Sequence, residues 1–230
     1  MYNDLTIVIP TKNEEDCIKS TVEELQNLSF KNILIIDANS KDNTISIAER
    51  LGCKIINQSG QGYGSAIVQS LKSVDTKYVC FFDADGSYNP ISLIQMYKEL
   101  VESNYDFVFC SRYQNGLKSE DDTFIRYIGN FFFTKCLSIL FSLNITDFLF
   151  HYAMSTKEKY ESLNLEYKSF SLCCEVPIKA NLKGYKFLEI ASKERKRVGG
   201  ISKVNAFKDG LIILLDMLRL FIKQNDFKQK

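Results

Sequence analysis

The sequence predicts an α/β domain with a mostly parallel central sheet flanked by helices, on three observations. Short β-branched runs alternate with stretches whose apolar residues recur at helical spacing, which is the pattern of a parallel sheet joined by crossover helices. At 230 residues and 45% hydrophobic composition the chain can bury one full core. Three predicted strand ends are unusually polar, and in open parallel sheets ligands sit beyond the carboxyl ends of the strands.

In chain order, the predicted strands of the first half are Leu5–Pro10, Asn32–Asp37, Lys54–Asn57, Tyr78–Asp83 and Asp106–Arg112. Between them lie helical patterns at Glu14–Leu28, Thr44–Leu51, Tyr63–Val74 and Ile91–Ser103, the last with Leu93, Met96, Tyr97, Leu100 and Val101 on one stripe. The second half is less regular. Phe124–Leu143 reads as an aromatic-rich helix, Cys174–Lys183 as another, Lys186–Ser192 as a strand and Ala206–Lys223 as a terminal helix.

Lys and Arg total 29 against 28 Asp and Glu, so the whole chain carries no electrostatic footprint for nucleic acid. The seven cysteines form no CxxC pair and several sit in apolar runs, which reads as reduced, buried thiols in a cytosolic protein. A strand pattern begins at Leu5, leaving no room for a signal peptide before it.

The polar strand ends are Pro10-Thr11-Lys12-Asn13-Glu14, then Asp37 with Asn39, Ser40, Asp42 and Asn43, then Asp83-Ala84-Asp85-Gly86-Ser87. A parallel sheet brings all three to one rim. Two carboxylates one residue apart at the end of a buried strand suit a hard divalent cation, Mg2+ or Mn2+, which would neutralise a leaving diphosphate. The alternative is that Asp85 opens a turn and caps the helix near Ile91. Gly60, Gly62 and Gly64 open a helical segment, where they either admit a phosphate to backbone N–H groups or simply let the chain turn. The first strand-to-helix turn has no glycine, which weighs against a dinucleotide-binding fold. Lys193, Arg195, Lys196, Arg197 and Lys203 surround Gly199-Gly200 and read as a flexible cationic segment able to close on phosphate, or as a solvated loop. His151 is the sole histidine and, lacking a catalytic constellation nearby, reads as a packed or solvent-facing ring.

These segments, with Gly62-Tyr63-Gly64-Ser65-Ala66 and Ile35-Ile36-Asp37-Ala38-Asn39-Ser40, resemble the family 2 inverting glycosyltransferases. Arg197-Val198-Gly199-Gly200-Ile201-Ser202-Lys203 is similar to the Arg-x-x-Gly-x-Ser-Lys stretch of the polyprenyl-phosphate sugar synthases, the dolichyl-phosphate mannosyltransferase branch; Ser111-Arg112-Tyr113, Arg126, Gly129-Asn130, Asp147 and Glu175 also fall where that branch has similar residues. The resemblance implies a Rossmann-like, nucleotide-sugar-binding fold. It further implies a donor site of Pro10, Lys12, Glu14, Asp37, Gly62, Asp83, Ala84 and Asp85, with the metal on Asp83 and Asp85. Acceptor or phosphate contacts would come from Arg112, Arg126, Arg197, Ser202 and Lys203, and catalytic positions would be Asp85, Arg197 and Lys203. The chain departs from the branch at Phe150 and Ala153, where Gly and Arg are usual.

The expected organisation is a catalytic domain over 1–205, with a nucleotide half to about 113 and an acceptor half beyond it, followed by an amphipathic helix and tail over 206–230. The expected reaction moves a sugar from a nucleotide donor to polyprenyl phosphate at the cytoplasmic membrane face. Two alternatives stay open: a soluble transferase extending a glycan hydroxyl, and a non-catalytic nucleotide-sugar-binding module. In the terminal helix the polar residues Lys208, Asp209, Asp216, Arg219 and Lys223 share a stripe opposite a wide apolar surface, which suits a helix lying in the membrane interface, a dimer contact or a core helix.

Overall fold

The structure is a computed structural model that describes residues 2–199 and 206–227. Among the described residues, seven strands form one sheet in the order β3-β2-β1-β4-β6-β5-β7. The strands are β1 (Leu5–Thr11), β2 (Ile33–Asp37), β3 (Lys54–Asn57), β4 (Tyr78–Phe81), β5 (Phe107–Ser111), β6 (Ala153–Thr156) and β7 (Phe187–Ala191). The helices are α1 (Ile18–Asn27), α2 (Thr44–Arg50), α3 (Tyr63–Leu71), α4 (Ile91–Glu102), α5 (Phe124–Phe141), α6 (Lys157–Ser162), α7 (Leu172–Leu182) and α8 (Ala206–Phe227).

Alternation along the strands splits the core into two faces. Leu5, Ile7 and Ile9 of β1 meet α1, α2 and α4 through Val22, Ala48 and Met96. Val8, Leu34 and Phe81 point the other way, onto Ile67 of α3, Tyr160 of α6 and Val176 of α7. A third cluster joins Leu137 of α5, Ile178 of α7 and Ile213, Met217 and Leu220 of α8.

The predicted succession of five parallel strands needs one correction. β6 enters between β4 and β5 and runs antiparallel to both. It was missed because Ala153-Met154-Ser155-Thr156 is short and lacks alternation; its strand conformation comes from long-range pairs such as Val79 with Ser155. Helix α6, which follows it, was missed with it.

Two further corrections concern the second half. Asp216 does not sit on an exposed polar stripe: it is buried and accepts a hydrogen bond from Ser171 Oγ at 2.7 Å. Of the cysteines expected to be buried, Cys136 is exposed, and Cys17, Cys80, Cys110, Cys173 and Cys174 are buried free thiols. Helix α5 is long and apolar enough to cross a membrane by length and composition. Its Phe131 and Phe132 are exposed, as are Leu211, Leu214, Leu215 and Ile222 of α8, whereas Phe148 and Phe150 are buried.

Candidate active site

Parallel pairing aligns Thr11 with Asp37, and Val8 with Phe81, so the segments after β1, β2 and β4 emerge on one rim. Side chains tie them together. Asp37, buried at the end of β2, accepts from Thr11 Oγ1 at 3.0 Å and from the Ser40 N–H at 2.8 Å. Asn13, in the left-handed region at φ 54°, donates its N–H to Ser40 Oγ at 2.8 Å, and the Glu14 N–H donates to Thr44 Oγ1 at 2.7 Å. Pro10 pairs with Ile36 one position before the end of the β1 register, and Lys12 is exposed just beyond it.

Asp83 and Asp85 lie in the turn after β4, and Ala84 between them is buried, its carbonyl accepting from Thr21 Oγ1 at 2.9 Å. Burial, with the neighbouring carboxylates of Asp85 and Glu14, pushes the Asp83 carboxyl up to about 8. Asp85 Oδ1 accepts from the Ser87 N–H at 2.9 Å, and its Oδ2 lies 3.4 Å from Arg197 Nη1. Mutually repelling carboxylates at the end of a buried strand fit a hard dication. Among the described residues no cluster of three or more His, Cys, Asp or Glu side chains could hold a metal ion. A cation on Asp83 and Asp85 would therefore complete its shell with phosphate and water oxygens, as Mg2+ does at phosphate sites.

The described part of the basic segment, residues 193–199, is held by specific partners. The Arg195 N–H donates to the Ser87 carbonyl at 2.8 Å and the Val198 N–H to the Asp85 carbonyl at 2.9 Å. Arg195 forms a fork with Glu24, Lys193 pairs with Glu120 at 2.6 Å, and Arg197 forms a fork with Asp121 that raises its already high pKa. The carboxylates that neutralise these cations come from α1 and from residues 120–121, which nothing in the local sequence revealed. Ser202 and Lys203 lie outside the described residues.

Arg112, expected at the acceptor phosphate, is buried and held by Asp147 through Nε at 2.7 Å and Nη2 at 2.9 Å, with Glu194 at 3.6 Å. It spans β5 and the segment before β6, and its guanidinium lies 4.9 Å from the Phe150 ring centre. Asp147 is thereby used as its partner. Burial pushes Glu194 up to about 7 in spite of Arg112. Glu175 is likewise committed: it pairs with Lys179 at 2.7 Å and accepts the N–H groups of Glu166 and Tyr167. Gly62 has φ 91°, and a Cβ there or at Gly64 would strike the backbone carbonyls of Lys168 and Tyr167. The positive φ at Gly62 is what a sharp turn needs, and the close backbone approach at Gly62 and Gly64 is a further reason for glycine that the sequence did not show.

A cavity of about 330 Å³ opens beside Asp83. Its polar lining residues include Asp83, Arg126, Asp121 and Arg197, and its apolar ones Ile125, Phe133, Leu149 and Ile213. Sequence reasoning did not foresee two of its lining residues as partners. Tyr63 Oη and His151 Nδ1 are 2.9 Å apart, and the imidazole stacks on Phe81 with ring centres 5.1 Å apart. Burial lowers the His151 pKa to about 3, so the ring is neutral.

Comparison with known proteins fits this rim. The chain is 26% identical over 215 residues to the glycosyltransferase AglJ of Haloferax volcanii, covering 93% of this chain and 70% of that one. It is 25% identical over 225 residues to the dolichyl-phosphate hexose transferase of the same organism, covering 97% of this chain and 96% of that one. Its fold superposes with a TM-score of 0.70, at 16% identity, on the glucosyl-3-phosphoglycerate synthase of Mycobacterium tuberculosis solved with Mn2+, uridine diphosphate and glucosyl-3-phosphoglycerate, covering 96% of this chain and 77% of that one. Residues 6–163, from within β1 to the end of α6, match glycosyl transferase family 2, and with the carboxylate-bearing rim at the heart of that span the chain belongs to this family of glycosyltransferase enzymes.

Proposed function

We propose that the chain transfers a sugar, with inversion, from a nucleoside diphosphate donor on the strand rim to a lipid phosphate that enters between α5 and α8. The observation that carries the acceptor is the cavity itself. Its lining combines the charged Asp83, Arg126 and Arg197 with the apolar Ile125 and Phe133 of α5 and Ile213 of α8, and these two helices also expose Phe124 (77%) and Ile222 (77%). A polyprenyl phosphate has that same division, an anionic head on an apolar chain. The dolichyl-phosphate hexose transferase relative supports the lipid acceptor.

Asp83 and Asp85 would hold Mg2+ or Mn2+, which when bound neutralises the leaving diphosphate; the Mn2+ and uridine diphosphate of the mycobacterial synthase support this assignment. Lys12, Glu14 and Asp37 would face the nucleoside. Arg197, between Asp85 and Asp121, would exchange one carboxylate for the phosphate of donor or acceptor. An acceptor phosphate oxygen is anionic near neutral pH, so no side chain need act as base. In this reading residues 1–113 form the donor half and 114–205 the acceptor half. In the same reading the helix α8 would rest against the cytoplasmic face of a membrane, with its exposed Leu211, Leu214, Leu215 and Ile222 toward it.

A second reading, a soluble transferase, draws support from the solved structures, since the mycobacterial synthase holds a phosphoglycerate compound rather than a lipid. The fold comparisons favour this reading over the lipid one. A hydroxyl acceptor would require a carboxylate base, and Asp121 and Asp122 line the same cavity.

The deciding experiment incubates the protein and Mn2+ with UDP- and GDP-sugars, offering polyprenyl phosphate in vesicles, 3-phosphoglycerate or oligosaccharides. Transfer to the lipid alone is the expected result. Transfer only to soluble acceptors establishes the second reading, and nucleotide binding without turnover on any acceptor overturns both.

A further inference from the structure

His151 stands just before β6, the strand inserted beside β4. Along the rim the order is therefore Asp37 at the end of β2, then Asp83 after β4, then His151. If the nucleoside lies at β2 and the diphosphate at β4, the next position is that of the transferred sugar.

The imidazole is 4% exposed and lines the cavity together with Asp83, Tyr63, Phe170 and Cys173. His151 Nε2 is buried and has no hydrogen-bond partner among the described residues. Buried polar atoms are seldom left unpaired, and an orphan in a cavity wall marks a position for a ligand atom.

The contact with Tyr63 ties the role of Nε2 to the tautomer. Among the described residues, the sole hydrogen bond of the Tyr63 hydroxyl is to His151 Nδ1. If Tyr63 donates to Nδ1, the neutral ring keeps its hydrogen on Nε2; in the other tautomer Nδ1–H donates to Tyr63 Oη and Nε2 is an acceptor. The Tyr63 ring is held in turn by stacking on Phe170, with centres 4.9 Å apart and planes 8° apart. With Tyr63 donating to Nδ1, a hydroxyl or carbonyl oxygen accepting from Nε2–H would leave neither hydrogen unpaired.

We propose that His151 is a specificity-determining residue whose Nε2–H donates a hydrogen bond to an oxygen of the donor's sugar beside Asp83. This rests on the nucleotide-sugar reading above. The partnership is Tyr63 Oη–H to Nδ1 on one side of the ring and Nε2–H to the sugar on the other. In this reading the transferred sugar supplies that oxygen, since it is the group next to the diphosphate and the nucleoside end of the rim lies three strands from β6, beyond β4 and β1.

The chain has one histidine, so a single ring reports the contact. The experiment labels histidine with 15N and titrates the protein, with Mg2+, against UDP-glucose, UDP-N-acetylglucosamine and GDP-mannose, and against UDP and GDP alone. The expected result is an Nε2-protonated tautomer whose Nε2 and attached proton resonances move with at least one sugar nucleotide and not with its diphosphate. In parallel calorimetry, His151→Phe, which keeps the ring stacked on Phe81, should lose about fivefold in affinity for that sugar nucleotide and nothing for the diphosphate. Diphosphates that bind while every sugar nucleotide leaves the ring resonance where its diphosphate puts it overturn the His151 assignment alone. Absence of binding by all five nucleotides overturns the donor reading and this assignment with it. Should His151→Phe fail to fold, the wild-type spectra decide by themselves.

Discussion

The backbone N–H of Val198 donates to the carbonyl of Asp85 at 2.9 Å, fastening the basic segment to the carboxylate motif from a distant part of the chain. Arg195 repeats the contact on Ser87, and between them Arg197 spans Asp121 and Asp85. Cations and carboxylates that lie far apart in sequence therefore meet as one preformed constellation, and charge changes within it should act on turnover more than on folding.

Asp85→Asn tests this most directly. The amide keeps an oxygen for the Ser87 N–H and removes the charge. Sugar transfer should fall about 100-fold or more while the melting temperature stays within a few degrees of the parent, since neutralising a leaving diphosphate contributes several kcal/mol. Undiminished transfer in Mn2+ sinks the metal assignment.

Gly86 adopts φ +78°, and a Cβ there would lie 2.8 Å from Val198 Cγ2. Gly86→Ala should cost about 1–3 kcal/mol in urea unfolding, because left-handed backbone is strained for alanine and the basic segment must shift. Faster proteolysis near residues 195–199 should accompany the loss. Parental stability and cleavage rate together would show that the segment does not pack there.

The Glu175–Lys179 pair is fully buried and anchors the backbone of residues 164–167. Lys179→Met strands a carboxylate and should destabilise by about 3–5 kcal/mol. The double variant Glu175→Gln with Lys179→Met should recover part of that, because no net charge is left buried. Equal losses in the single and double variants would contradict a paired-charge role.

His151 predicts a pH dependence. Its folded pKa, about 3, lies below the ordinary value of 6.5, so below pH 6.5 the unfolded chain binds a proton that the folded ring refuses. Stability linked to this ring is whole above pH 6.5 and is lost progressively as pH falls toward 3. Between pH 7 and pH 5 the loss attributable to it is about 2 kcal/mol. Urea unfolding of His151→Phe at both pH values should show a correspondingly smaller drop. An unchanged drop places the titration elsewhere.

The local alternation of Leu5, Ile7 and Ile9 with Val8, and the helical spacing of Leu93, Met96 and Leu100, made most of the elements legible, because short-range periodicity reports which face is buried. β6 was not legible: Ala153 to Thr156 carry no pattern, and pairing with β4 and β5 makes them a strand. The terminal helix was legible as a helix, but its orientation was not. Asp216 faces inward because Ser171, on a different segment, supplies a hydrogen bond.

The sequence by itself determined the α/β class, the three polar strand ends and the carboxylates Asp83 and Asp85, since these depend on residue type at fixed spacing along one strand. Tertiary structure alone decided how they are used. It paired Arg112 with Asp147, tied Arg197 to Asp121, filled the space beside Gly62 with residues 167–169, and set His151 against Tyr63 in a cavity wall. Charge balance and hydrogen-bond satisfaction depend on distance in space, and Tyr63 and His151 are 88 positions apart in the chain.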